Sequence, residues 1–62
     1  MKVEWDGKSY DIEKRMTGKK LLESFNLSRE AHLIVANGKL TTEDQMLNTT
    51  DMVRIIRVIS GG

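Results

Sequence analysis

The amino-acid sequence predicts an α+β fold in the order ββαββ, a mixed sheet with a single helix across it. Three observations carry this. Two runs of alternating character, Lys2 to Trp5 and Ser9 to Glu13, flank Asp6-Gly7-Lys8, and Asp-Gly between such runs is a strong hairpin signal. A second pair of turn residues, Asn37-Gly38, separates the apolar run His32 to Ala36 from Lys39-Leu40. Between the hairpins, Leu21, Leu22 and Phe25 recur with the i, i+1, i+4 spacing of one helix face.

Each element follows from its residues. Alternation puts Val3 and Trp5 on one face of the first strand, and Tyr10 and Ile12 on one face of the second. Thr17 is suited to cap a helix running to about Phe25, and Asn26 to stop it. Gly18, in the first turn, is expected to cost little there. So short a helix is unstable alone and must lie on the sheet. Asn37-Gly38 supplies the positive φ angles of a type I′ turn. The polar stretch Thr41 to Leu47 is expected to form one helical turn, dropping Met46 and Leu47 onto the core. Asn48-Thr49-Thr50-Asp51 is turn chemistry, and a last strand runs from Met52 to Ile59. Residues 1–59 thus read as one domain, and Ser60-Gly61-Gly62 as a flexible tail.

Composition excludes several classes of function. A chain of 62 residues has room for one small core, since at this size only about 60% of the unfolded surface is buried. Without Cys there are no disulfides, thiolate metal sites or cysteine nucleophile. The N-terminal residues lack an apolar h-region, and no stretch approaches the roughly 20 apolar residues of a membrane helix, so a soluble cytoplasmic protein with no membrane partner is expected. Ten basic and nine acidic residues give a net charge of +1, too balanced for a dedicated nucleic-acid binder. Lys14, Arg15, Lys19 and Lys20 cluster, either as a solvated face or as a patch for an acidic protein surface.

The final strand is the most informative element. Its alternation places Val53, Ile55, Arg57 and Ile59 on one side and Met52, Arg54, Ile56 and Val58 on the other, and both sides carry apolar residues. Either both faces are covered, or the uncovered one docks a partner, or Ile56 is a scattered surface residue. With one helix to cover the sheet, docking on the side of Ile56, Arg54 and Val58 is the favoured reading. The strand leads directly into Gly61-Gly62, two residues without side chains. They form a thread thin enough to carry the Gly62 carboxylate into a narrow channel on another protein.

Asp51, followed by Val53-Arg54-Ile55-Ile56-Arg57-Val58-Ile59-Ser60-Gly61-Gly62 and preceded by Val35-Ala36-Asn37-Gly38-Lys39, resembles the small ubiquitin-like sulfur carriers. These include the thiamin-biosynthesis sulfur carrier, the small subunit of molybdopterin synthase, and archaeal and tRNA-thiolation relatives. The resemblance covers essentially the whole chain. It implies a ubiquitin-like β-grasp, a mixed four- to five-stranded sheet with one main helix packed across one face. It also implies that an adenylating enzyme using ATP and magnesium activates Gly62, which a sulfur donor such as a cysteine desulfurase or rhodanese-like protein converts to a thiocarboxylate for a sulfur-acceptor synthase. Ser60, Gly61 and Gly62 would enter the partner's channel, and Arg54, Ile56, Arg57 and Val58 would dock. Thr50-Asp51 stands where many relatives have Gly-Asp, which blurs the branch and not the chemistry.

The absence of Cys agrees with this picture, because sulfur has no persulfide to ride on and only the terminal carboxylate is left to carry it. The chain itself would need no catalytic residue, metal or bound cofactor. The same activated tail could instead pass to lysines, making a ubiquitin-like modifier, and a binding module with an inert tail is a third reading. Trp5 and Tyr10, which such a module would use, read as sheet-packing residues. His32, the only histidine, has no partner in view as a general base, and Glu43-Asp44 lack a second acidic cluster.

Overall fold

The structure, a computed structural model, describes residues 1–59. The expectations for Ser60, Gly61 and Gly62 lie outside the described residues. Strands β1 (Lys2–Trp5) and β2 (Lys8–Asp11) form the first hairpin, closed by Asp6 and Gly7 at φ 52° and 77°, the two positive angles of a primed turn. Strand β3 (Met16–Thr17) leads into helix α1 (Gly18–Ser24). Then come β4 (His32–Ala36), β5 (Lys39–Thr41), β6 (Met46–Leu47) and β7 (Met52–Arg57). Five of the strands make a mixed sheet in the order β2, β1, β7, β4, β5, with β1 and β7 parallel and the other pairs antiparallel. A small α+β domain with one helix on such a sheet is compatible with a β-grasp.

The helix ends where its residues require. Thr17 Oγ1 accepts from the Lys20 N–H at 3.2 Å, the N-cap bond. At the other end Asn26 takes φ 60°, its N–H donating to Glu23 O and that of Leu27 to Leu22 O, both at 2.9 Å, which is a Schellman closure. Leu21 and Leu22 are buried by the helix against Val3, Ile34, Val53 and Ile55 of the sheet, with Met1 and Leu47 completing the core. Tyr10 meets Phe25 edge-on, 5.0 Å between ring centroids. A chain of this length has about 3–9 kcal/mol of stability. Truncating Leu21, fully buried, removes about 2–5 kcal/mol of it.

Between β5 and β7 the structure corrects the sequence reading. Residues 41–47 form no helical turn; β5 ends at Thr41, and β6 pairs antiparallel with β3 in a separate two-stranded sheet. Leu47 is buried as expected, but Met46 is exposed, because neighbouring residues of an extended strand face opposite ways. The cause lies in α1. Its first backbone N–H groups have no intrahelical acceptors, and the loop supplies them: Gly18 donates to Gln45 O at 3.1 Å and Lys19 to Glu43 O at 2.6 Å. Gly18 permits this approach, since a Cβ there would lie 2.6 Å from Ile34 Cδ1 and 3.2 Å from the Glu43 backbone. The expectation that Gly18 is a minor cost is therefore replaced by a packing requirement. Smaller differences are at strand ends: β2 runs from Lys8 to Asp11, and β7 stops at Arg57.

A polar clamp fixes the start of β7. Asn37, at φ 53°, donates from Nδ2 to Asp51 Oδ1 at 3.1 Å and accepts from Met52 N at 3.0 Å. Its own N–H donates to Met52 O at 2.7 Å. Asp51 Oδ2 accepts from Asn48 N at 2.9 Å. The Asn48 N–H, and then the Asn37 amide, hold the Asp51 carboxyl below its ordinary value.

Two outcomes follow. Gly18→Ala lowers stability by about 1–3 kcal/mol in urea denaturation, although Ala is the better helix former; a stabilised variant would contradict the close packing. Asp51, depressed in the folded state, contributes stability above its ordinary pKa of 3.8 and loses that contribution as pH falls through the folded value. Asp51→Asn is therefore less stable than the parent at neutral pH, and the gap narrows below about pH 4. A gap that stays constant across that acid range would contradict the linkage.

Candidate partner-docking face

Because side chains alternate along β7, Val53 and Ile55 go under the helix while Met52, Arg54 and Ile56 go to the face that no helix covers. Registration extends that face. Ile56 sits opposite Leu33, Arg54 opposite Val35, and Val35 in turn opposite Leu40. Across the parallel pairing, Lys2 and Glu4 lie beside Met52 and Arg54. The face is therefore divided. Leu33, Val35, Leu40 and Ile56 make an apolar half over β4, β5 and β7. Lys2, Glu4, Ser9 and Asp11 make a polar half over β1 and β2. Leu33 and Ile56 are each 41% exposed and Leu40 69%, a contiguous patch rather than scattered residues. Arg54 lies on the boundary, 3.7 Å from Glu4, an exposed pair that adds little stability and leaves the guanidinium available.

Of the four expected docking residues, Arg54 and Ile56 come together here. Val58 lies one residue past the strand, partly exposed, with its N–H donating to Ala31 O at 2.7 Å. Arg57 belongs to the other side: it pairs in register with His32, and its guanidinium lies 5.8 Å from the Trp5 ring centroid. Trp5 stands edge-on to His32 at 5.1 Å. His32 is 8% exposed, with Nδ1 donating to Ser28 O at 2.7 Å and Nε2 buried without a partner among the described residues. This is a wall residue, not a base facing solvent. Trp5 is half-buried against the core, and Tyr10 packs on Phe25.

Leu33, Val35 and Leu40 were missed in the sequence. An unbroken apolar run such as Leu33-Ile34-Val35 reads as core on both faces, and only the register with β7 separates Ile34 from its neighbours. The signal was in the length of the run, one helix being too little to cover both sides. The basic residues Lys14, Arg15, Lys19 and Lys20 are exposed, and Lys14, Arg15 and Lys20 border a shallow depression that also holds Glu23. Glu43, far from a second acidic cluster, pairs with Arg29, and this bond, with that of Glu30, raises the Arg29 pKa. Among the described residues no three His, Cys, Asp or Glu side chains gather as a metal site, and no helix is long and apolar enough to cross a membrane.

The arrangement suits apolar contact with another macromolecule, bordered by one cation. No protein-family model matches the chain, and no curated protein matches it significantly.

The two faces of β7 respond differently to substitution. Ile55→Ala costs about 2–5 kcal/mol in chemical denaturation. Ile56→Thr, which keeps the β-branch, changes stability by less than about 1 kcal/mol. Equal losses at the two positions would contradict an open face.

Proposed function

We propose that the chain is a β-grasp sulfur carrier whose Gly62 carboxylate is charged and unloaded by partner proteins. The observation that carries this reading is the position of β7. It is the central strand, held by β1 on one side and β4 on the other, it contributes Ile56 to the apolar half-face, and in sequence it leads to Ser60-Gly61-Gly62. The sheet order, with the parallel pair at its centre and a hairpin on either side, supports the β-grasp assignment.

The chemistry is that of an acid made reactive. A carboxylate is a poor electrophile; attack of its oxygen on the α-phosphorus of ATP releases pyrophosphate and leaves AMP as a good leaving group. The outer sulfur of a donor persulfide then displaces AMP to give an acyl disulfide, and a second thiol attacks the donor-side sulfur, forming a disulfide as the terminal thiocarboxylate leaves. ATP and magnesium belong to the adenylating enzyme, the sulfur to a desulfurase or rhodanese-like donor, and the product to a sulfur-acceptor synthase in thiamin, molybdopterin or tRNA thiolation. The carrier's contribution is presentation. Leu33, Val35, Leu40 and Ile56 would bury against the partner, Arg54 would pair with a carboxylate at the edge of the contact, and Arg57, Val58 and Ser60-Gly61-Gly62 would span from that contact to the reacting site. Glycine at both final positions leaves the channel free of side chains. The cytoplasm, where these reactions take place, is the proposed compartment.

Intact-mass measurement after incubation with a cognate adenylating enzyme, ATP, magnesium and a sulfur donor tests this. The expected product carries one sulfur in place of one oxygen at Gly62, and Gly62→Ala forms it far more slowly while unfolding at the same urea concentration. Equal charging of the two proteins, or isolation of a native protein extended beyond Gly62 and never trimmed, would overturn the proposal. Lysine-linked adducts of higher mass in cell extract, with no free thiocarboxylate, would replace the carrier by a protein modifier.

A further inference from the structure

Asn37-Gly38 is more than a turn. The Asn37 side chain spends both of its polar atoms on the start of β7, Nδ2 on Asp51 and Oδ1 on the Met52 N–H, at 3.1 and 3.0 Å. Both residues of the turn are exposed, and the space beside Gly38 is open, with no atom within 4 Å of the position a Cβ would take. The residue after an asparagine decides how readily its backbone nitrogen reaches the side-chain amide carbon, and glycine offers no obstruction. The other two asparagines precede Leu27 and Thr49, whose side chains stand in the way.

We infer that Asn37 is a latent modification site, kept intact by the Asp51 clamp and converted by deamidation when the clamp opens. In the step itself the Gly38 backbone nitrogen attacks Asn37 Cγ. The N–Cγ bond forms, the Cγ–Nδ2 bond breaks, and Nδ2 leaves as ammonia with the proton from Gly38. Water then adds to one carbonyl of the resulting cyclic imide and opens it to aspartate or isoaspartate. Nothing is oxidised or reduced. The product cannot restore the clamp, because the donor that faced Asp51 has become a carboxylate oxygen, and two carboxylates at that separation repel. The isoaspartate form also adds a methylene to the backbone of a two-residue turn. Modification at this one position therefore loosens the junction between the β4–β5 turn and the entry to β7, and it does so irreversibly.

The attack requires the side chain to leave Asp51 and Met52, so its rate in the folded protein follows local opening. The test is peptide mass spectrometry of the full chain incubated at mildly alkaline pH, following the mass gain of deamidation at each asparagine. Asn37 in the parent is expected to convert far more slowly in buffer than in urea, with Asn26 and Asn48 unchanged in buffer. Asp51→Ala is expected to speed conversion in buffer about three- to tenfold, the factor that one lost hydrogen bond represents. A separate measurement covers the consequence: Asn37→Asp unfolds at a lower urea concentration than the parent at neutral pH. Equal rates in buffer and urea, an unchanged rate in Asp51→Ala, or an unshifted urea midpoint in Asn37→Asp would overturn the inference.

Discussion

The twofold repeat of side chains along β7, set in the middle of the sheet, is the constraint on which the remaining structure depends. Val53 and Ile55 must go under α1 to close the core, and that choice leaves Arg54 and Ile56 on the uncovered side. Through the register, the same choice selects Leu33, Val35 and Leu40 as their neighbours. A shift of one residue would exchange the two sets and empty the core. Stability and the proposed docking surface are thus two results of a single registration.

The ends of the elements are held by polar backbone bonding rather than by more apolar area, as expected where one helix contributes so little. Glu43 and Gln45 offer their carbonyl oxygens to the first amides of α1, and Gly18 is the residue that lets them close in. Asn37 and Asp51 do the corresponding work at the start of β7. Both devices join loops distant in sequence to the ends of regular elements, and both depend on particular residues, a glycine without a Cβ and an asparagine with a donor and an acceptor. They bring order to loops that would otherwise have little to hold them.

What could be seen in the residues beforehand was local. Asp6-Gly7, Asn37-Gly38, the Thr17 cap and the Asn26 stop each act within a few positions, and all four occur where their chemistry implies. The pairing of Met16–Thr17 with Met46–Leu47 could not be seen, because two-residue strands have no period and their partners are far apart in the chain. A helical turn was the reasonable reading of Thr41 to Leu47 until the orphan amides of α1 required those carbonyls. Half of the open face was visible in the alternation of β7. The other half, Leu33, Val35 and Leu40, needed the register of β4 and β5, since an apolar run is the same on paper whichever way it faces.

The proposed function joins these pieces: a small body whose central strand carries part of an apolar half-face and leads in sequence to Ser60-Gly61-Gly62. Its most direct test is to titrate isotopically labelled protein with the adenylating enzyme and follow the backbone amide resonances. The account predicts that Leu33, Val35, Leu40, Ile56 and residues 58–62 shift or broaden together, while Leu21, Glu23 and the rest of α1 stay in place. A response centred on α1 and the basic residues Lys14, Arg15 and Lys20, with the open face silent, would contradict it.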